Sequence, residues 1–302
     1  MPFLTVYGHV TIDQIVRVHR FPDLNETVDI MEKKTTLGGT GTNIAIAAAR
    51  LGVPTALAAL VGTDFPQKLR AEIEDSGVIM DEFVAVDDYE TSSCTILNTD
   101  AMEQKVVFYQ GPQGFATKIG KDISSCAKAS KHVHFCTGEP AWYLQLMDSL
   151  SGKAGLAADP AQETYRFWDE DKLRHAVSKC DSLFCNEFEA KVIEERLGIS
   201  SVTDIDLPLV VKTEGEKGSV ARIDGEVVRI PCIKGDAVVD PTGCGDNYRA
   251  GFYAGRYNGY SVRDSLVIGS AVSSYVIEKT GALTNTPTWE MALERAKPYL
   301  EG

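Results

Sequence analysis

The sequence predicts an α/β fold in which a mostly parallel sheet is flanked by helices and accompanied by a small second sheet. The main observation is that short β-branched or aliphatic runs alternate with segments of helical periodicity. Such alternation is typical of parallel strands joined by helical crossovers. The predicted main-sheet strands are FLTVY at 3–7, LAALV at 57–61, HVHFC at 132–136, GLAA at 155–158, SLFC at 182–185 and PLVVK at 208–212.

A second observation is the placement of helices and of one late hairpin. SVARI and EVVRI flank Asp224-Gly225, a two-residue hairpin signal, so the sheet should have an antiparallel edge. Helical patterns lie near 40–51, 66–76, 142–151, 169–178, 187–197, 245–258, 262–279 and 288–298.

Two stretches, 15–34 and 91–110, interrupt this rhythm. Each holds two strand-like runs around a turn, Pro22-Asp23-Leu24-Asn25 in the first and Thr99-Asp100 in the second. The four strands could form a small sheet over the main-sheet ends where α/β proteins bind ligands. They would then act as a β-lid, or else form an ordinary edge hairpin or the contact of a homodimer.

Length and composition favour a protein that binds small molecules. The chain has 302 residues, 44% of them hydrophobic, and we expect a single α/β domain over 1–302. A formal net charge of −13 argues against nucleic acid and anionic membranes, which both require clustered Lys and Arg. No leader pattern or long apolar run is apparent, so we expect a cytoplasmic protein. The seven cysteines show no zinc-type spacing.

The segment AVVDPTGCGDNYRAGFYAGRY carries the strongest chemical signal. Gly243 and Gly245 allow backbone conformations in which consecutive N–H groups point inward and hold an anion. The following helix adds the positive end of its dipole, and Asp246 in its first turn could act as a base. The alternative is that Asp246 only caps the helix, which leaves the paired glycines unexplained.

A second glycine turn, LGGTGTNIAIAAARLG at 37–52, runs into an Ala-rich helix. It fits a dinucleotide fingerprint poorly because the third glycine is missing. Gly39 could let the backbone approach a ligand, and Asn43 offers a donor and an acceptor. The alternative is close helix packing with Asn43 as a local cap. Asp13, just after the first strand, could bind two neighbouring sugar hydroxyls or could be a turn residue.

Two further clusters follow buried strands. Thr213, Gly215 and Gly218 form either a nucleotide-facing turn or an ordinary loop. Asn186 and Glu189 share one face of a helix start, where they could bind a metal-coordinated phosphate or form a capping box. The sequence has no G-x-x-x-x-G-K-[ST], so a nucleotide phosphate would be held without a Walker loop.

Taken together, GGTGTNIAIAAARLG, NEFE at 186–189 and DPTGCGD at 240–246 resemble the signatures of the ribokinase-like, or PfkB, family of sugar and nucleoside kinases. HFCTGEP, ADPAQ and TGALTNTPTW look most similar to the archaeal broad-specificity nucleoside kinases. The resemblance implies a core α/β domain with a β-lid, ATP as phosphoryl donor and Mg²⁺ as cofactor.

The resemblance also implies roles for individual residues. The predicted catalytic residues are Asp246 as base and Gly243, Cys244 and Gly245 as anion hole. The predicted substrate-binding residues are Asp13, Asp29, Gly39, Asn43 and Gln162. The predicted nucleotide-binding residues are Asn186, Thr213, Gly215 and Gly218, with Glu189 organising magnesium through water. Cys244 replaces the usual alanine, and Asn247 and Arg249 depart from the common sugar-kinase pattern.

Three functions are consistent with these residues. The first is a kinase that phosphorylates the 5′-hydroxyl of a ribonucleoside. The second is a kinase for ribose, fructose or a fructose phosphate, which would use the same catalytic residues. The third is a non-catalytic nucleotide-binding protein on the same fold, against which the retained Asp246 argues.

Overall fold

The computed structural model describes residues 1–101 and 103–301, and its strands form two separate sheets. In chain order the strands are β1 (Leu4–Tyr7), β2 (Thr11–Val18), β3 (Ile30–Gly38), β4 (Thr55–Gly62), β5 (Phe83–Val86), β6 (Ser93–Thr99), β7 (Gln104–Tyr109), β8 (His132–Phe135), β9 (Gly155–Ala158), β10 (Ser182–Asn186), β11 (Leu209–Thr213), β12 (Ser219–Ile223) and β13 (Glu226–Ile230).

The larger sheet has nine strands in the order β13-β12-β11-β10-β9-β8-β1-β4-β5. Its strands from β11 to β5 are parallel, whereas β12 and β13 run antiparallel at one edge. The predicted mostly parallel sheet, its six early strands and its antiparallel hairpin are therefore confirmed. The sequence did not predict β5, because FVAV is a four-residue run flanked by charged residues.

The smaller sheet has four strands in the order β3-β2-β6-β7. β2 pairs antiparallel with β3 and parallel with β6, and β6 pairs antiparallel with β7. The predicted small sheet is confirmed, although β2 begins earlier than the interruption at 15–34. Asp13 therefore lies within a strand of the small sheet rather than in a loop after β1.

Ten helices connect and cover the strands of the described chain. They are α1 (Thr40–Arg50), α2 (Gln67–Asp75), α3 (Ala116–Ile119), α4 (Ser125–Ala129), α5 (Pro140–Leu150), α6 (Glu170–Lys179), α7 (Glu187–Leu197), α8 (Cys244–Tyr257), α9 (Val262–Val276) and α10 (Trp289–Ala296). None of these helices combines the length and the apolar character needed to cross a bilayer.

The hydrophobic core has two layers, one on each face of the large sheet. One layer contains buried residues of α1, α8, α9 and α10, and the other contains those of α5, α6 and α7. Neighbouring strand residues contribute to opposite layers, as Val6 and Tyr7 of β1 do. Burial on both faces explains why the central strands read as continuous apolar runs rather than as alternating ones.

The parallel topology concentrates polar loops at one edge of the large sheet. From β1 the chain proceeds to β4 on one side, whereas β8 to β11 lie on the other. The strand order therefore reverses between β1 and β8, and loops at the carboxyl ends of strands on either side of such a point form a crevice. The small sheet is inserted after β1 and after β5, at this same edge.

Candidate active site

The turn that begins α8 is shaped by glycine and by two anchoring hydrogen bonds. Gly243 is the N-cap of α8 and has φ 76°, and a Cβ atom there would collide with Ala282. Asn247 Nδ2 donates to the carbonyl oxygen of Ala282 at 2.9 Å, and the Gly281 amide donates to Asp240 Oδ2 at 2.9 Å. These bonds fix the turn against the 281–282 segment.

Backbone amides in this turn differ in whether they already have an acceptor. The Cys244 amide donates to the Pro241 carbonyl at 3.1 Å, and the Asn247 amide donates to the Gly243 carbonyl at 2.9 Å. No acceptor among the described residues engages the amides of Gly243, Gly245 and Asp246. Because these donors lie at the N-cap and in the first turn of a 14-residue helix, they can bind an anion together with the helix dipole.

The Cys244 thiol packs against α9. Its sulfur lies 3.8 Å from the carbonyl oxygen of Ser273, whose hydroxyl donates to the Cys244 carbonyl at 2.7 Å. Burial raises the pKa of this thiol to about 11. The thiol is therefore protonated at neutral pH, and Cys244 contributes its backbone to the turn.

Asp246 is a partly buried acid that makes no helix cap. The N-cap of α8 is Gly243, and no described side chain makes a capping hydrogen bond at this helix start. Instead, Asn43 Nδ2 donates to Asp246 Oδ2 at 2.7 Å, which joins α1 to α8. Burial raises the pKa of Asp246 to about 7, against the lowering effects of the Asn43 hydrogen bond and the Arg249 charge. An acid with this pKa can exchange a proton near neutral pH.

The start of α1 brings a second polar group to the same place. Gly39 is the N-cap of α1 with φ 95°, and a Cβ atom there would collide with the His9 carbonyl. Asn43, one turn later, is 8% exposed, and its Oδ1 atom has no hydrogen-bond partner among the described residues. A buried acceptor without a partner is costly, so this oxygen is suited to a hydroxyl of a ligand.

Asp13 completes this side of the site. Its carboxylate lies against Gly38, the residue before Gly39, where a Cβ atom would collide with it. Thr11 Oγ1 donates to Asp13 Oδ1 at 2.6 Å, and burial raises the pKa of Asp13. A series of contacts thus runs from Asp13 through Gly38 and Gly39 to Asn43, whose backbone amide donates to the Gly39 carbonyl at 2.9 Å, and from Asn43 to Asp246.

Asn186 and Glu189 form the capping box that begins α7. Asn186 Oδ1 accepts from the amides of Phe188 and Glu189 at 2.8 and 2.9 Å, and Glu189 Oε2 accepts from the Asn186 amide at 2.8 Å. Glu189 is 4% exposed, and burial together with the nearby Asp159 charge raises its pKa. The capping interpretation is therefore confirmed, and the same glutamate also faces the charged groups near Asp246.

The predicted nucleotide turn lies beside Asn186. Thr213 is paired with Asn186 in the parallel register of β10 and β11, so both strands end at the same level. The loop that follows has Gly215 at φ 57° and Gly218 at φ 87°, and the Glu214 amide donates to the Gly218 carbonyl at 2.7 Å. This turn is compact and lies at the carboxyl edge of the sheet.

Asp29 and Gln162 are not joined to this cluster. Asp29 is exposed in the segment before β3, and Gln162 is exposed in a short 3₁₀ turn after β9. Neither shares a hydrogen bond or an ion pair with the described residues around Asp246. Their predicted role in substrate binding stays a prediction.

Sequence reasoning missed an ion pair beneath the site, between Asp159 and Arg249. Asp159 follows β9 and is 4% exposed, and Arg249 lies three residues after Asp246 and is 5% exposed. Arg249 Nε donates to Asp159 Oδ2 at 2.7 Å. The available signal was an arginine within a helix whose next residues are small or apolar, because such an arginine requires a buried acidic partner.

The raised pKa of Asp246 predicts a pH-dependent effect of Asp246→Asn on stability. A folded-state pKa of about 7, above the ordinary value of 3.8, means that stability is lost progressively as pH rises from about 3.8 to about 7. Asparagine carries no charge and avoids this loss. We expect Asp246→Asn to be more stable than the parent at pH 8 by at least about 1 kcal/mol, with a smaller difference at pH 5.

Thermal and urea unfolding at both pH values would measure this difference. Asp236→Asn, at an exposed acid in the same part of the chain, is the matched control and should show no such trend. A difference that stays constant or shrinks from pH 5 to pH 8 would show that the Asp246 carboxyl is not destabilised by burial.

Comparison with known proteins shows the family of the chain. The model of the pfkB family carbohydrate kinases matches residues 1–289. A nucleoside kinase of Methanocaldococcus jannaschii is 29% identical over 301 residues, which cover 99% of this chain and 98% of that protein. A nucleoside kinase of Methanothermobacter thermautotrophicus is 31% identical over 299 residues, which cover 97% of this chain and 94% of that protein.

A solved structure gives the same result for the fold. The crystal structure of the Methanocaldococcus jannaschii nucleoside kinase, described as an archaeal member of the ribokinase family, superimposes with a TM-score of 0.91 at 28% identity. The superposition covers 99% of both chains. The predicted family and the predicted fold are confirmed, and the chain belongs to the pfkB family of carbohydrate kinases.

Proposed function

We propose that the chain is an ATP-dependent nucleoside kinase that transfers the γ-phosphoryl group of ATP to the 5′-hydroxyl of a ribonucleoside. The observation that carries the proposal is the Asp246 carboxyl, with a pKa of about 7, at a helix start whose backbone amides include several that have no acceptor in the described part of the chain. The full-length similarity to two nucleoside kinases supports a nucleoside as the acceptor. Members of the pfkB family are phosphotransferases with an alcohol group as acceptor.

In the proposed reaction, Asp246 accepts the proton of the attacking hydroxyl. The Asn43 amide holds the carboxylate through its hydrogen bond to Oδ2 and so fixes the orientation of the base. The amides of Gly245 and Asp246 and the α8 dipole stabilise the charge on the phosphoryl group during its transfer. Gly243 gives the turn its backbone conformation. Positioning and charge stabilisation account for most of the rate in phosphoryl transfer.

The acceptor would bind on the side of Asp13, Gly39 and Asn43. The Asp13 carboxylate accepts hydrogen bonds from the vicinal hydroxyls of the ribose, and Asn43 Oδ1 accepts from a hydroxyl group that satisfies this buried atom. Gly39 lets the backbone approach the sugar.

The phosphoryl donor would bind on the side of Asn186, Thr213, Gly215 and Gly218. The two glycines allow the backbone to lie against the nucleotide, and Thr213 offers a hydroxyl at the end of β11. Mg²⁺ commonly retains several waters and binds through one or two carboxylates together with phosphate oxygens. The described residues contain no cluster of three His, Cys, Asp or Glu side chains that could hold a metal ion.

Glu189 would hold magnesium through bound water, because it is a buried carboxylate at the edge where the phosphates would lie. When bound, the ion would neutralise charge on the phosphate oxygens of the donor. Glu189 itself orients the water molecules and maintains the start of α7 through its capping bond to the Asn186 amide.

A kinase for ribose, fructose or a fructose phosphate is the second candidate, since the family model is that of carbohydrate kinases. Such an enzyme would use Asp246 and the same turn, so only the acceptor distinguishes the two. A non-catalytic nucleotide-binding protein is the third, and the ionisable Asp246 beside unpaired amides argues against it.

We also propose that residues 15–34 and 91–110 belong to a mobile lid within a single domain spanning 1–302. The small sheet is tied to the large one at its base, where the amide of Gly62, the last residue of β4, donates to Thr91 Oγ1 at 3.0 Å. Its outer strands carry exposed apolar side chains, including Ile30, Val106 and Val107 at 56%, 53% and 64% exposure. A second copy of the chain could cover these residues, so a homodimer would form through the lid.

The proposed acceptor is tested by ADP release with nucleosides, 2′-deoxynucleosides, ribose, fructose and fructose phosphates. We expect ribonucleosides to be turned over at least about 100-fold more efficiently than their 2′-deoxy analogues. The reason is that a missing hydroxyl leaves a buried polar group without its partner. Turnover of free sugars alone, or equal use of deoxynucleosides, would contradict the proposal.

A matched pair of variants assigns this discrimination to Asp13. Asp13→Asn should lower kcat/KM for ribonucleosides and shrink the preference over deoxynucleosides. Asp23→Asn, at a fully solvated acid of the same hairpin, should leave both unchanged. An unaltered preference in Asp13→Asn would show that Asp13 does not contact the ribose.

Hydrogen exchange with and without nucleoside tests the lid. We expect amide protection in 15–34 and 91–110 to rise when the nucleoside binds, because the strands become ordered over the ligand. The buried helix α9 provides the internal reference and should not change. Unchanged protection in both segments, together with a dimer by sedimentation, would contradict a lid and favour a fixed dimer sheet.

A further inference from the structure

Arg249 and Asp159 form a buried ion pair directly beneath the proposed catalytic turn. Arg249 Nε donates to Asp159 Oδ2 at 2.7 Å, and Arg249 Nη2 donates to Asp159 Oδ1 at 3.2 Å. This two-point geometry fixes the plane of the guanidinium group. The arginine also stacks over the ring of Phe184, with 5.6 Å between its Cζ and the ring centroid.

A hydrogen-bond chain orients the carboxylate of this pair. His134 Nε2 lies 3.1 Å from Asp159 Oδ2, and His134 Nδ1 lies 2.8 Å from the hydroxyl of Tyr253. A carboxylate only accepts, so Nε2 donates to it, and in the neutral imidazole Nδ1 accepts from Tyr253. Because Tyr253 and Arg249 are both on α8, the chain connects this helix to β8 and β9 at two points.

The remaining guanidinium nitrogen of Arg249, Nη1, contacts the catalytic turn itself. Arg249 Nη1 donates to the carbonyl of Gly245 at 3.2 Å. The amide that follows this carbonyl belongs to Asp246, one of the donors of this turn that have no acceptor among the described residues. A constraint on the Gly245 carbonyl therefore also constrains the peptide plane that presents the Asp246 amide.

Arg249 also affects the ionisation of nearby acids. Its charge lowers the pKa of Asp246 and of Glu189, whereas the Asp159 charge raises both. A buried ion pair of this kind contributes little net stability, because desolvation of both charges offsets their attraction. Stability alone therefore gives no reason for an arginine rather than an apolar residue at position 249.

We propose that Arg249, oriented by Asp159, is a positioning residue for phosphoryl transfer that fixes the Gly245–Asp246 peptide and supplies the buried positive charge between Asp246 and Glu189. This inference rests on the proposed function in its assignment of Asp246 as the base. It does not depend on whether the acceptor is a nucleoside or a sugar.

The inference predicts opposite pH effects for the two members of the pair. Asp246 is faced by Asp159 after β9, by Glu189 of α7, by Cys136 after β8, and by Arg249 and Cys244 of its own helix. Removing the Arg249 charge leaves only acidic neighbours, so Asp246 ionises at higher pH. Removing the Asp159 charge takes away a like charge, so Asp246 ionises at lower pH.

The experiment is the pH dependence of kcat in the parent, Arg249→Met, Arg249→Lys and Asp159→Asn, measured as ADP release. Activity in the parent should fall as pH drops through about 7, the pKa of Asp246. Arg249→Met should move this midpoint upward by about one pH unit. Asp159→Asn should move it downward. Arg249→Lys should restore the midpoint but not the plateau rate, because lysine keeps the charge and loses the two-point geometry.

Arg256→Met is the control, since this arginine lies two turns further along α8 and donates to the Tyr260 carbonyl. Its midpoint should equal that of the parent. An unshifted midpoint in Arg249→Met would overturn the inference. If that variant does not fold, an unshifted or raised midpoint in Asp159→Asn would overturn it instead.

A readout without turnover separates this inference from the proposed function. If the parent phosphorylates none of the acceptors, the proposed function fails. The stability gain of Asp246→Asn over the parent can still be followed against pH. In an Arg249→Lys background this gain should level off at the same pH as in the parent, and in an Arg249→Met or Arg249→Ala background it should keep growing to a higher pH, because the folded-state pKa of Asp246 sets the upper end of the change. A gain that levels off at the same pH in all backgrounds would overturn the inference.

Discussion

The site depends on one hydrogen bond, which the side-chain amide of Asn43 donates to the Asp246 carboxylate. This bond joins α1 to α8, the helix that carries the base. Burying an acid is unfavourable, and the raised pKa of Asp246 measures that cost. The Asn43 bond and the charge of Arg249 offset part of it, so the carboxyl titrates near neutral pH instead of remaining protonated. A base with this property must be held in a defined orientation, and two helices share that task.

The parallel sheet explains how distant residues meet at this place. The strands β1, β9, β10 and β11 all end at one edge, where Asp159 directly follows β9 and Asn186 and Thr213 are the last residues of β10 and β11. The helix starts of α1, α7 and α8 lie at the same edge and contribute Asn43, Glu189 and Asp246. The fold therefore places these groups at the same edge of the sheet. Gly39 and Gly243 allow the backbone to lie against the His9 carbonyl and Ala282, respectively.

Much of this arrangement could be predicted from local sequence. Strands appear as apolar runs because both faces of the large sheet are buried, and the glycine turns appear because positive φ values favour glycine. Pairings between distant residues could not be predicted in this way. Asn43 and Asp246 are 203 positions apart, and Asp159 and Arg249 are 90 positions apart. The parallel pairing of β2 with β6 could not be predicted either, because the periodicity of a strand does not specify its partner strand.

The central claim is that Asp246 is the base for phosphoryl transfer, and single-turnover kinetics of Asp246→Asn test it most directly. The amide keeps the shape of the side chain but cannot accept the proton, so the chemical step should slow by about 10²–10⁴-fold. Calorimetry should show affinities for ATP and acceptor within a few-fold of the parent, and Asp236→Asn should retain the parent rate. A near-parental rate of phosphoryl transfer in Asp246→Asn would contradict the account.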